Sequence, residues 1–523
     1  MKRFGMKEAW RAAVAALLPV VLAACGASAG GSGGDSGRAD ASGVLKYGYP
    51  MPVAGLHFDP TRSVPVADVI WMSLVYGTLL RQSSDGTVQP WMAKDVTVVD
   101  SRTVKIALRP GIKFTDGSAY DAQAVKTSLM RARTPATAAA RGGQDPAIKT
   151  LSSVDVVDPL TAVARLNQPL AGQFMTELSQ RQGAILSPKQ IAEHPDQIDA
   201  RPVGAGPFVL EKSTPQQLLS FRKNPAFWDA ANVKLGGVDI VNTPTGPQQA
   251  NGLLAGDLDW SSYVSVDSVG RLKADQRYAT QVSDVATVEL VMCTAKAPFD
   301  NEAVRKAVQL GIDRDRFAQI AFGGLTGAAT SFVRERSKNF DPSVKNEVNY
   351  DPEKAKKLIA STGSSSVSFD LHFPATLNFG GPAQVLQGQL QKIGVNASVI
   401  SDRDSLNGFM VPQKPGALLN ATIGSVGYST FSWHFTAGSI GALCGQGRPD
   451  VMQAVNEAAA LSPNDPKAIA AYQSAQKMVA EHAYAIPIVA YPTIAGWNTS
   501  RVGGTPKFDA LGYPQFDSIY IRG

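Results

Sequence analysis

LRPGIKFTDGSAYDAQAVKTSLMRAR, residues 108–133, is the stretch on which the fold turns. Just before it, Val96-Thr97-Val98 and Val104-Lys105-Ile106-Ala107-Leu108 alternate apolar with polar around Asp100-Ser101, which predicts a hairpin with one buried face. Arg109-Pro110-Gly111 ends the second strand. Asp121 is then placed to cap a helix, with Val125 and Leu129 one turn apart on a single face and Arg131 and Arg133 complementing the dipole at its end. Strand, turn and amphipathic helix in succession are the unit of a mixed α/β chain.

The same alternation continues toward the C-terminus. Pro202-Val203-Gly204-Ala205-Gly206-Pro207 is dense backbone punctuation before a strand pair, Phe208 to Glu211 and Leu218 to Arg222. Asp300 is expected to open a helix with Val304, Ala307 and Val308 along one stripe, continued by Ile312. Asp351-Pro352-Glu353 combines an N-cap acceptor, a proline at the first helical position and an acid at the positive end, with Gly363 as C-cap. Val385, Leu386, Gln389 and Ile393 lead through Gly394 into Val395-Asn396-Ala397-Ser398-Val399, a helix feeding a strand.

These segments, in this order, resemble the extracytoplasmic solute-binding proteins of ABC importers, in the family that holds the dipeptide, oligopeptide and nickel binding proteins. The resemblance rests on Leu108 to Gly117 with its helix and on Pro202 to Phe208. It rests also on Arg222-Lys223-Asn224-Pro225-Ala226-Phe227-Trp228, Leu254-Ala255-Gly256-Asp257-Leu258-Asp259, Pro298 to Ala307, and Ile312-Asp313-Arg314. Most of these residues read as scaffold: Gly117 and Gly206 for turn geometry, Trp228 for the core, Arg305 for a structural ion pair or a packed stem. The resemblance implies an α/β, two-lobed periplasmic-binding-protein fold of type II with an extra subdomain, closing on a solute by a hinge. It divides the chain into lobe I (44–81, 204–290 and 487–523), a subdomain inserted at 82–203, and lobe II (291–486). Hinge crossings are expected at Leu290-Val291-Met292 and Ala485-Ile486-Pro487.

The N-terminus says where such a protein works. Lys2, Arg3, Lys7 and Arg11 precede an apolar run from Ala12 to Ala24, the layout of a secretory signal over residues 1–24. Leu22-Ala23-Ala24-Cys25 resembles the lipobox of bacterial lipoproteins, which implies lipidation of Cys25 and anchorage to the bilayer. Residues 26–43 hold almost nothing apolar and read with Cys25 as a flexible tether. Their two G-x-S-x-G strings lack the flanking strand and helix that a nucleophile elbow needs. Removing the signal's net +3 from the chain's +6 leaves +3 on 44% apolar, 18% charged material, too little for a basic stripe, so no nucleic acid partner is expected. Cys293 and Cys444 are open to pairing outside the cytoplasm. Nothing in their spacing brings them together, so two buried small hydrophobes are the favoured reading.

For the solute, the family's peptide binders pair an acidic residue in a lobe II loop with the peptide's amino group. The corresponding stretch here, Ile423 to Phe435, contains no Asp or Glu, and an ammonium buried without a counter-charge costs several kcal/mol. Tyr428, Phe431, Trp433 and His434 offer stacking and hydrogen bonding instead, Arg448 a bidentate partner for a carboxylate, and His57 and Phe58 a contact from lobe I. The histidines show no metal-ligand spacing, so neither a metal site nor a cofactor is expected, and a metal would arrive inside a chelator. Ser474-Ala475-Gln476-Lys477 matches one penicillin-binding motif without its partners, so a tethered hydrolase is set aside. The expectation is a monomeric, extracytoplasmic, non-enzymatic protein delivering a peptide or peptide-like solute to ABC permease subunits. A non-peptide solute or a sensor of solute is the alternative.

Overall fold

The structure, a computed structural model, describes residues 38–51, 57–63, 68–134, 146–364, 366–375, 379–402, 416–423, 427–439, 441–442 and 447–523. Cys25, the tether strings and Cys444 lie outside them. A ten-stranded sheet runs through the molecule in the order Val395–Asp402, Val367–Pro374, Gly416–Ile423, Tyr278–Met292, Ala485–Asn498, Trp260–Ser261, Val44–Tyr49, Gly237–Asn242, Leu218–Lys223, Phe208–Thr214. Its two long central strands, Tyr278–Met292 and Ala485–Asn498, pair antiparallel from Tyr278↔Asn498 to Val291↔Ala485. They join two hydrophobic cores. Leu45, Tyr47, Trp71, Phe208 and Phe221 belong to the first, and Val288, Leu290, Leu371, Leu386, Ile486, Ile488 and Val489 to the second.

The second core takes in residues on both sides of the expected crossings at 290–292 and 485–487. Val288 and Val489 are already in the second core, while Ile494 packs with Leu253 and Leu272 on the other side. The ladder shifts register between Ser283 and Ala286 and again between Val288 and Glu289, and each irregularity bends the strand locally.

Residues 93–166 build a separate four-stranded antiparallel sheet, Ala93–Asp100, Thr103–Leu108, Thr161–Leu166, Leu151–Asp158, which includes the expected hairpin. Asp121 accepts the Ala124 N–H at 2.9 Å and starts the helix Ala122–Ala132, whose Val125 and Leu129 are buried. Arg131 does more than face the helix dipole: it forks onto Asp59. Two motifs of the resemblance meet here. Arg109 lies over the Trp228 ring at 3.9 Å, so Trp228 is 37% exposed and sandwiched from outside, not in the core as expected. Gly206 also differs: its role is close approach, since a Cβ there would lie 2.7 Å from the backbone of Val75 and Gly77. Gly117, at φ +82°, does serve a turn.

In the second half, Asn301 rather than Asp300 caps the helix Glu302–Gly311, and Ile312 ends it instead of continuing it. Asp351 caps Pro352–Ser361 as expected, with Thr362 closing and Gly363 following at φ +78°. Arg305 is structural, donating to the carbonyls of Phe299 and His482. Cys293 is disulfide-bonded, which overturns the free, buried reading. At the edge of the first core the described chain begins and ends side by side, with Asp40 N–H on Ile521 O at 2.8 Å and Gly523 N–H on Arg38 O at 3.0 Å.

Candidate functional site

The stretch that sequence singled out for solute contact folds into a helix, Tyr428–Phe435, behind Gly427, whose φ of +153° excludes a side chain there without strain. The helix lies at the seam between the two halves. Gln173 Nε2, from the helix Ala171–Glu177, donates to Ser429 Oγ at 3.1 Å. Glu177, one turn on, accepts from Gln173 and from the backbone N–H of Ala147 and Ile148, so its charge is held by three donors. The seam continues where Gly172 meets Leu461 without room for a Cβ, and where Asn464 donates to Val88 O at 3.0 Å. Arg334, from the second half, donates to Ala510 O at 2.9 Å and to Val285 O at 3.1 Å.

Along the helix, the candidate residues part into internal and accessible groups. Phe431, 1% exposed, stacks on Tyr472 and packs tilted against Phe435. His434 is sealed on every side, with Nδ1 donating to Thr430 O at 2.7 Å and Nε2 2.9 Å from Glu289 Oε2. Glu289 is equally buried and takes a further bond from Thr422. Both side chains are thus buried and engaged within the protein, where surface contact with a solute was expected. Tyr428 and Trp433 stay partly open. Burial, with Glu177 adding to it, pushes the Tyr428 hydroxyl above its ordinary value, so that it remains a donor at neutral pH.

Arg448 is partly open too. It bonds Thr294 Oγ1 at 2.6 Å, covers the Tyr484 ring at 4.3 Å and shares a small pocket with His434, Met292 and Thr294. The structure does not bring His57 and Phe58 to this group. His57 bonds Asp199 at 3.1 Å and lends its carbonyl to Trp71, while Phe58 is 1% exposed against Phe221. Phe58 is core, again a correction. The residue that sequence reasoning missed is Glu289: the acid absent from the loop sits on the crossing strand behind it. Its sequence separation from His434 left no local signal.

Among the described residues no three His, Cys, Asp or Glu side chains gather as metal ligands. Nor is any described helix long and apolar enough to cross a membrane.

The profile of the bacterial extracellular solute-binding proteins, family 5 (middle region), matches residues 87–434, most of the chain. The chain belongs to that family. As a solute-binding protein it is not an enzyme. It is 28% identical over 332 residues to the glutathione-binding protein GsiB of Salmonella paratyphi A, a match covering 62% of this chain and 63% of the relative. The match thus spans under two thirds of that curated relative. Among solved structures, HbpA2 from Haemophilus parasuis superposes with a TM-score of 0.79 at 19% identity, over 92% of this chain and 100% of the other. The periplasmic binding protein DppA from Helicobacter pylori, in complex with the peptide STSA, gives 0.72 at 18%, over 92% and 98%. At such identities the likeness is one of fold: two-lobed, mixed α/β.

Proposed function

We propose that this family 5 member is the substrate-binding lipoprotein of an ABC importer, held at the extracytoplasmic membrane face through Cys25 and capturing a peptide or peptide-like solute between its halves. The observation that carries the reading is the Gln173–Ser429 bond across the seam. It brings the first turn of the helix that holds Tyr428 and Trp433 against the inserted part, so a guest held there is covered from both sides. In this reading 44–81, 204–290 and 487–523 with the insert form one moving body and 291–486 the other. A solute drives closure only through contacts made better in the closed state. GsiB and the peptide-bearing DppA structure support peptide chemistry. His434 lends no support to direct metal ligation, because both ring nitrogens are already engaged.

Native mass spectrometry of the protein purified without refolding tests the proposal. A retained ladder of peptide masses is the expected result; a sugar or metal-chelate mass sinks the peptide reading and leaves the binding role intact. Uptake measured in a deletion strain separates delivery from sensing.

A further inference from the structure

Behind the start of the strand Ala485–Asn498, the second half encloses a cavity of about 10 Å³, the space that one water molecule needs. The helix Glu302–Gly311 contributes Gln309 to its lining and the segment after it Thr330, while Phe332, Val348, Phe431 and Val479 supply apolar walls. Gln309 Oε1 and Thr330 Oγ1 are shut off from bulk solvent, and neither has a hydrogen-bond partner among the described residues. Turning the Gln309 amide over does not remove the deficit. Its Nε2 already donates to the carbonyls of Ala480 at 2.9 Å and Glu347 at 3.2 Å, so exchanging the two ends would set oxygen against oxygen.

A third orphan is next door. Buried Arg314 directs Nε to Pro487 O at 3.0 Å and Nη1 to Val348 O at 2.8 Å, both carbonyls of lining residues, while its Nη2 has no partner among the described residues. Buried donors and acceptors are rarely left unpaired, and three in one neighbourhood call for a guest that can serve them. The charges say which guest. Burial lowers the Arg314 guanidinium to about 10, which leaves it positive at neutral pH, so a cation beside it is repelled. An anion is repelled in turn by the Gln309 oxygen, which only accepts. A neutral molecule that both donates and accepts, and is no larger than the cavity, meets every condition.

We propose that this cavity is the binding site of a single internal water, which donates to Gln309 Oε1 and shares a hydrogen bond with the Thr330 hydroxyl. The site braces the crossing strand from behind. Through Gln309 the water reaches the helix Glu302–Gly311, and through Thr330 it reaches the segment that bridges the strand at Ala328↔Val489 and by Ala329 N–H on Ile488 O at 3.0 Å. All of its lining belongs to 291–486 or to the first turn of the strand that follows, so the water should be held with or without a solute.

The test begins with a crystal structure of the full chain at a resolution that reveals ordered water. A peak within hydrogen-bond reach of both Gln309 Oε1 and Thr330 Oγ1 is expected, and in crystals grown with rubidium bromide it should carry no anomalous signal. A cavity without density, or an anomalous peak inside it, overturns the proposal. In solution, magnetic relaxation dispersion of the solvent counts long-lived internal waters. Thr330→Val keeps the shape and removes the hydroxyl, and should lower that count by one; Thr330→Ser keeps the hydroxyl and should leave it unchanged. Equal counts for wild type and Thr330→Val, or a loss in Thr330→Ser as large as in Thr330→Val, overturn the proposal. Unchanged circular dichroism would show that both variants fold, and the wild-type crystal decides even where one does not.

Discussion

Gly204 has no room for a side chain: a Cβ there would lie 2.0 Å from the carbonyl oxygen of Val75. Gly204→Ala should therefore cost about 3 kcal/mol in chemical denaturation, since backbone cannot yield as a flexible side chain would. The buried pair behaves differently. Glu289→Ala strands His434 and should cost about 3–5 kcal/mol, whereas Glu289→Gln, able to bond both His434 and Thr422, should cost clearly less; equal losses would mean that the charge, and not the hydrogen bonding, decides. Two carboxyls set the acid response with opposite signs. Burial works to raise Asp59, but the Arg131 fork and the Thr61 bonds outweigh it and hold the group below its ordinary value, so its contribution is present above pH 4 and lost as pH falls below about 4. Asp509, raised to about 6, does the reverse, taking stability away as pH climbs from about 4 to 6. Denaturation series on wild type and Asp509→Asn should diverge through that window and stay apart above it. Little of this was legible beforehand: Trp228 read as core because an arginine lid such as Arg109 leaves no mark in a sequence, and Glu289 is invisible until folding brings it to His434.

Among the elements, those with their own start and stop chemistry were readable. Asp121 and Asp351 cap the helices assigned to them, and the hairpin around Asp100 forms, because each depends on neighbours within a few residues. Removing the first cap, Asp121→Ala, should cost about 1 kcal/mol, read as a shift in the denaturation midpoint without a change in slope. Failures came where two adjacent residues compete for one role, as Asn301 displaced Asp300, and where an element takes its identity from distant pairing. The crossing strands are the clearest instance. Tyr278–Met292 and Ala485–Asn498 look like ordinary apolar strands, and only their register shows where one core gives way to the next. The helix Tyr428–Phe435 buries Phe431 and His434 and leaves Tyr428 and Trp433 half-buried, and helical spacing alone does not sort them, because Tyr428 lies one turn before Phe431 on the same face.

At the scale of the whole molecule the proposed capture of a solute between the halves is tested at the seam. A double-mutant cycle on Gln173→Ala and Ser429→Ala should report a coupling of about 1 kcal/mol and raise the apparent Kd for the retained solute by about fivefold, because fewer molecules occupy the closed form. Zero coupling would mean the bond forms without favouring closure. One more property follows from the pairing of Asp40 with Ile521 and of Gly523 with Arg38. A reporter protein appended behind Gly523 would ride beside the root of the tether and barely move when a guest is swallowed. One spliced into the turn around Gly363 would travel with the opposite jaw, so a dye pair divided between those two places makes the swing itself visible as a change in energy transfer.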